Sequence, residues 1–158
     1  MGRKKRKFAH GKAKAFLLKT EEKVQDRYER YARVLRVVDG DTLELLVDLG
    51  FGEWHQDKFR LAGVDTPEKY GVKKSSAEYK AGVSATEYTR AWIEEHAEIE
   101  EFETPLGSSK FPRVVIRTFD AGKGKYGRWI CSVHRTDGEG ESLNEALVRT
   151  GHAEPVTY

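Results

Sequence analysis

Arg33 to Val38 and Thr42 to Val47 are two alternating, β-branched stretches separated only by Asp39-Gly40-Asp41. Period-two alternation puts apolar side chains on one face, and a glycine after an aspartate offers the positive φ that tight hairpin turns use, so a β-hairpin is expected here. A third strand, about Asp57 to Val64, should follow and close at Asp65-Thr66-Pro67-Glu68, where Pro67 forces Thr66 into an extended conformation. Three strands in succession make a meander.

Ser75-Ser76-Ala77-Glu78 reads as a capping box. The segment to about His96 places Ala85, Tyr88, Trp92 and Ile93 at i, i+3, i+7 and i+8, the spacing of an amphipathic helix. Residues 97 to 112, with Pro105, Gly107 and Pro112, read as irregular, and Val114 to Phe119 and Arg128 to His134 as two more strands around a Gly/Lys-rich connection. Ser142-Leu143-Asn144-Glu145 carries a full Ser-x-x-Glu cap, with Leu143, Ala146 and Leu147 on one face and Gly151 as the stop. The expected fold is mainly β with helices (α+β), in the order β-β-β-α-β-β-α of a five-stranded OB-fold Greek-key barrel, with an extra helix at the N-terminus. That fold alone points to an oligonucleotide or saccharide binder and to no particular chemistry.

Charge divides the chain. Residues 1 to 20 hold eight Lys/Arg and no acid, so the overall +2 conceals 20 bases against 26 acids, a net of −6, in the remainder. Residues 1 to 18, including GRKKRK, read as a disordered basic arm, and residues 19 to 32 as a short helix capped by Thr20, with Val24, Tyr28 and Tyr31 at i, i+4 and i+7. Residues 33 to 158 form the barrel domain, and 158 residues leave room for little else. A single cysteine, Cys131, excludes an intrachain disulfide framework, and the five histidines have no zinc-ligand spacing. No apolar stretch of signal-peptide or membrane-spanning length follows the N-terminal charges, so the expectation is a soluble, cytoplasmic monomer with no membrane partner.

The chemistry-bearing residues gather at strand ends. Asp41 opens the second strand and Asp65 ends the third, which in a meander is the same end of neighbouring strands, so their carboxylates can converge. Two carboxylates, a turn carbonyl and waters suit a hard divalent cation such as calcium, although Asp-Gly-Asp and Asp-Thr-Pro also serve as plain turn sequences. Arg60 and Arg128 add fixed cations and Glu68 a free carboxylate. Phosphodiester cleavage needs that combination: charge on the equatorial oxygens, a base for water and a Lewis acid. Trp54 and Trp129 are either stacking platforms or barrel packing, while His134, His152 and Cys131 read as structural.

VVDGDTLEL, FRLAGVDTPE, ATEYTRAWIEE, GKYGRW and LNEALVRTGHA, in that order over roughly residues 33 to 154, resemble the staphylococcal nuclease (thermonuclease) family. The resemblance implies a calcium-dependent nuclease acting on DNA and RNA and leaving 5′-hydroxyl and 3′-phosphate ends. It implies Asp41, Asp65 and the Thr66 carbonyl as metal ligands, Asp39 as an acid beside them, and Glu68 as general base. Arg60 and Arg128 become the phosphate-holding arginines, and Lys125, Tyr126 and Tyr158 nucleotide contacts. Guanidinium suits that role because its planar fork matches phosphate oxygens and stays charged. The sequence departs from the family pattern in a stretch around Phe102 to Pro112, in the extra N-terminal helix, and in ending at Tyr158 soon after the LNEALVRTGHA segment. The competing expectation is a non-cleaving nucleic-acid or protein binding module on the same barrel. Retention of Asp41, Arg60, Asp65, Glu68 and Arg128 favours the enzyme.

Overall fold

The structure, a computed structural model, describes residues 28–104, 106–123 and 127–157. The meander is present as β1 (Glu29–Asp39), β2 (Thr42–Gly50) and β3 (Glu53–Leu61), each antiparallel to the next. After a two-residue strand β4 (Val64–Asp65) come helix α1 (Ala77–His96), β5 (Glu98–Thr104), β6 (Gly107–Lys123) and β7 (Trp129–His134). Helix α2 (Leu143–Arg149) and a short β8 (Glu154–Pro155), which pairs with β4, complete the order.

The main sheet runs β1-β2-β3-β7-β6-β5 and also joins β1 to β6, so β1, β2, β3, β7 and β6 form a ring. Only β3 and β7 in that ring are parallel (Phe59↔Trp129, Arg60↔Ile130, Leu61↔Cys131), which makes the sheet mixed. Mainly β, with two helices among the described residues, it is an OB-like α+β fold. Closure pairs both sides of the ring strands and removes exposed edges. Inside lie Leu43, Leu45, Leu61, Ile116 and Val133, all essentially inaccessible to solvent, with Trp92 and Ile93 of α1 and Leu143 and Leu147 of α2 packed onto them.

Several expectations need correction. Glu29–Ala32, read as the end of an N-terminal helix, are strand residues paired with Arg117–Val114 of β6, and Tyr28 before them is not helical, while residues 19–27 of that helix and the basic arm lie outside the described residues. Most of residues 97 to 112, read as irregular, is sheet: Glu98–Thr104 of β5 pairs with β6 from Glu98↔Arg113 to Thr104↔Gly107. The stretch around Phe102 is fastened down by Arg33, whose guanidinium lies 3.9 Å from the Phe102 ring centre and 4.3 Å from that of Trp54, and which pairs with Glu100 at 3.1 Å. Such stacking on two rings adds to the ion pair because the flat guanidinium is weakly hydrated. Ser76, not Ser75, caps α1, its hydroxyl accepting the Tyr79 N–H at 3.1 Å. The Ser142–Glu145 box forms as expected, and Gly151 ends α2 with a φ of 77°.

Gly40 is required for a different reason than turn chemistry suggested. Its φ is not in the left-handed region; instead a Cβ there would sit 2.9 Å from both Ala85 Cβ and Thr66 Cγ2. The β1–β2 turn is pressed against α1. Thr89 of the helix donates to the Gly40 carbonyl at 2.8 Å, and Gly82 lies so close to the next loop that a Cβ would be 2.8 Å from the Pro67 and Glu68 carbonyl oxygens. A stripe of small residues on α1, Gly82, Ala85 and Thr89, therefore holds both acid-bearing loops at one end of the ring.

Candidate active site

The β1–β2 turn and the β3–β4 segment reach that end together. Backbone pairing sets the first relation: Thr42 lies opposite Arg60 across β2 and β3, and Arg60 opposite Ile130 across β3 and β7. Register slips in β1 between Val34 and Arg36 and between Val37 and Asp39 bend its last turn, as bulges beside active sites commonly do.

Asp41 is the centre of the arrangement. Its side chain is only 6 % exposed and its two oxygens are filled from different directions. Oδ2 accepts the Thr66 backbone N–H at 3.1 Å and lies 3.0 Å from Arg60 Nη1, while Oδ1 accepts the Thr42 hydroxyl at 3.1 Å. Arg60 Nη2 reaches Asp65 Oδ1 at 2.9 Å and the Val64 carbonyl at 3.2 Å, so one guanidinium joins both aspartates. Arg128 Nη1 donates to Thr42 Oγ1 at 3.1 Å, which brings the second arginine to the same spot from the start of β7.

The two neighbouring acids of the turn are driven apart in acidity. Burial pushes the Asp39 carboxyl up to about 6, and the adjacent Asp41 carboxylate adds to the shift. Burial would raise Asp41 as well. Its hydrogen bonds with Asp39, the Thr66 N–H and Thr42, and the charge of Arg60, outweigh that and hold it below the usual carboxylate range. Asp39 also accepts the Asp41 backbone N–H at 3.1 Å. At neutral pH the turn thus carries one firmly ionised carboxylate beside one that titrates close by.

Glu68 stands apart from this tight group. It is exposed, on the wall of a cleft of about 310 Å³ that it shares with Asp65, Thr66, Glu78, His152 and Glu154. Lys125, Tyr126 and Tyr158 lie outside the described residues. Asn144, carried by the capped helix, is structural: it accepts the Val133 N–H at 3.0 Å and donates to the Ala62 carbonyl at 2.8 Å and the Cys131 carbonyl at 3.3 Å, tying α2 to β7 and the end of β3. Trp129 is half-buried and donates its indole N–H to Asp57 at 3.1 Å. Thr42, Gly82 and Thr89 went unread in the sequence as parts of the site; the small-residue spacing Gly82-x-x-Ala85-x-x-x-Thr89 was the available signal for two of them.

The donor set fits a hard cation. Asp41 and Asp65 are near enough to share one positive group, here the Arg60 guanidinium, and the Thr66 carbonyl belongs to the same loop. Among the described residues no three His, Cys, Asp or Glu side chains gather as a metal cluster, so within them carbonyls and water would complete the set. Two carboxylates with oxygen donors of that kind suit calcium or magnesium and not zinc.

An OB-like ring with acids and arginines drawn together at one end is a nuclease-like architecture. The chain belongs to the staphylococcal nuclease homologue family, whose model matches residues 58–158. That match contains Arg60, Asp65, Glu68 and Arg128, while Asp39 and Asp41 precede it and are joined to it by β2–β3 pairing. The chain is 32 % identical over 130 residues to an uncharacterized lipoprotein of Mycoplasma genitalium, a match covering 80 % of this chain and 45 % of the relative. It is 31 % identical over 140 residues to an uncharacterized protein of Methanocaldococcus jannaschii, covering 81 % of this chain and 60 % of the relative. The chain thus spans about half the length of these curated relatives. Among the described residues no helix is long and apolar enough to cross a membrane.

Proposed function

We propose that the protein is a calcium-dependent endonuclease that hydrolyses DNA and RNA phosphodiester bonds and leaves 5′-hydroxyl and 3′-phosphate ends. The observation that carries this reading is the Arg60 bridge, 3.0 Å to Asp41 and 2.9 Å to Asp65, with Arg128 tied to the same carboxylate through Thr42. Arg60 then exchanges carboxylate oxygens for phosphate oxygens when substrate enters, and Arg128 holds the phosphate from the β7 side. Their forks stabilise the charge that builds on the equatorial oxygens as phosphorus becomes five-coordinate. Asp41, Asp65 and the Thr66 carbonyl would hold calcium, which when bound supplies positive charge beside the phosphate and makes water easier to deprotonate.

Glu68, exposed on the cleft wall, accepts a proton from the attacking water. The new P–O bond forms as the bond to the 5′ oxygen breaks, and that oxygen leaves with the bonding pair and takes a proton from solvent to become the 5′-hydroxyl, while Glu68 returns its proton to solvent. Lys125, Tyr126 and Tyr158 are assigned to the bound nucleotide by family resemblance. Residues 1–18 act as a capture arm on the barrel whose first strand starts at Glu29, in a cytoplasmic monomer. A buried Cys131, its thiol pushed up to about 12 by burial, fits any redox compartment equally well.

The test is digestion of plasmid, single-stranded DNA and RNA with calcium, with magnesium or with chelator, beside Glu68→Gln and Arg60→Ala. Cleavage that needs a divalent cation and falls by about a hundredfold or more in each variant supports the reading. Full activity in chelator, or in both variants, overturns it.

A further inference from the structure

Thr42 is placed where the arginines and the acids meet. Its side chain is almost wholly enclosed, with the residue 2 % exposed, so its hydroxyl has to find partners within the protein. It has two. Arg128 Nη1 lies 3.1 Å from Oγ1, and Oγ1 lies 3.1 Å from Asp41 Oδ1. A guanidinium can only donate, so the hydroxyl must accept from Arg128 and direct its single proton to the aspartate side, where Asp41 Oδ1 is the oxygen at 3.1 Å and the Asp39 carboxyl lies beside it. The chain Arg128 N–H to Thr42 O–H to Asp41 carboxylate has one possible direction. At the other oxygen of the same carboxylate, Arg60 Nη1 approaches to 3.0 Å and the Thr66 N–H to 3.1 Å, which stops the carboxylate from turning. Both arginines are therefore referenced to one carboxylate, Arg60 directly and Arg128 through a hydroxyl.

We propose that Thr42 is a positioning residue for the hydrolysis: it fixes the Arg128 guanidinium relative to Asp41, and acts on the phosphate only through them. The inference rests on the nuclease reading above. Valine has the same shape without the hydroxyl and breaks the chain, whereas serine keeps it.

The experiment compares full-length wild type with Thr42→Val, Thr42→Ser, Arg128→Ala and Thr42→Val/Arg128→Ala on a single-stranded DNA oligonucleotide with calcium. Partners that orient ligands and clamps are commonly worth about tenfold to a hundredfold, so Thr42→Val should lower kcat by that factor with a smaller change in KM. Thr42→Ser should restore most of it. The double variant should lose less than the product of the single losses, because the two groups act in one chain. A product of the two losses, or a Thr42→Val enzyme as active as wild type, overturns the proposal. The side-chain ¹⁵N signals of Arg128 give a reading that does not depend on cleavage. They should show guanidinium rotation that is faster in Thr42→Val than in wild type and Thr42→Ser. An inactive wild type with that pattern would refute the nuclease reading and keep the Thr42 linkage, and Arg128 signals unchanged in Thr42→Val would refute the linkage. If Thr42→Val does not fold, Thr42→Ala takes its place in every measurement.

Discussion

At the scale of single residues, the Asp39–Asp41 turn makes acidity a property of position. Both aspartates begin with the same side chain, yet burial lifts Asp39 to about 6 while Asp41, surrounded by donors and Arg60, stays ionised. The consequence for stability has a definite sign. A carboxyl whose folded pKa exceeds its unfolded value binds more protons folded than unfolded, so its contribution is complete below the unfolded value near 3.8 and is lost as pH rises through about 6. Asp39→Asn removes the ionisation and should leave stability less sensitive to pH across that window. After discounting for solvent at this part-exposed group, the gain at pH 8 relative to pH 4 is about 1 kcal/mol. Melting temperatures of both proteins in chelator at pH 4, 6 and 8 check it. A constant difference between the two at all three values contradicts the assignment.

At the scale of elements, the acids converge because α1 is smooth where it meets them. Gly82 is the closest point, its missing Cβ making room for the Pro67 and Glu68 carbonyls. Gly82→Ala gains helix propensity of up to about 1 kcal/mol but introduces a carbon only 2.8 Å from both oxygens, so either the helix or the Glu68 loop must move. Backbone oxygens yield less readily than a side-chain tip, and displacement of a catalytic loop by even about 1 Å can cost up to a hundredfold in rate. The expected outcome is a fall in kcat of about tenfold or more with a modest change in melting temperature. Ser84→Ala, on the exposed side of the same helix, serves as the propensity control and should leave kcat unchanged. Equal rates for Gly82→Ala and wild type would separate the loop from the chemistry.

The elements also show what a sequence can express. Alternation revealed the meander and β7, and the Ser142 cap revealed α2, because those signals are local. β5 escaped notice since Glu98, Glu100, Glu101 and Glu103 interrupt any apolar period, as charges on an edge strand do. The start of β1 looked helical because Tyr28 and Tyr31 also fit a helical period, and only long-range pairing with β6 decides the matter. In the site, Asp41, Arg60, Asp65 and Arg128 could be nominated from strand ends. The linkage through Thr42 could not, since it depends on β7 lying parallel to β3, a relation between segments about 70 residues apart.

At the scale of the whole molecule, charge is divided along the chain. Beyond residue 20 there are 20 bases and 26 acids, and several of those acids line the cleft with Glu68, including Asp65, Glu78 and Glu154. A polyanion meets repulsion there until cations offset it. The eight Lys/Arg of the first 20 residues are an attractive counterweight, able to bind phosphates without regard to sequence. If the arm only captures, its effect belongs in encounter and not in turnover. Deleting residues 1–18 should then raise KM for long DNA severalfold at 50 mM salt and leave kcat nearly intact, with the two proteins converging as salt rises. Each lost phosphate contact should also reduce the slope of log KM against log salt by about 0.7 to 0.9. A short oligonucleotide that the cleft alone can hold should respond least to the deletion. Steady-state kinetics on both substrates across a salt series measures all of these effects. A fall in kcat at every salt concentration would mean that the arm enters the active site, while an unchanged KM and slope would make it a solubilising tail.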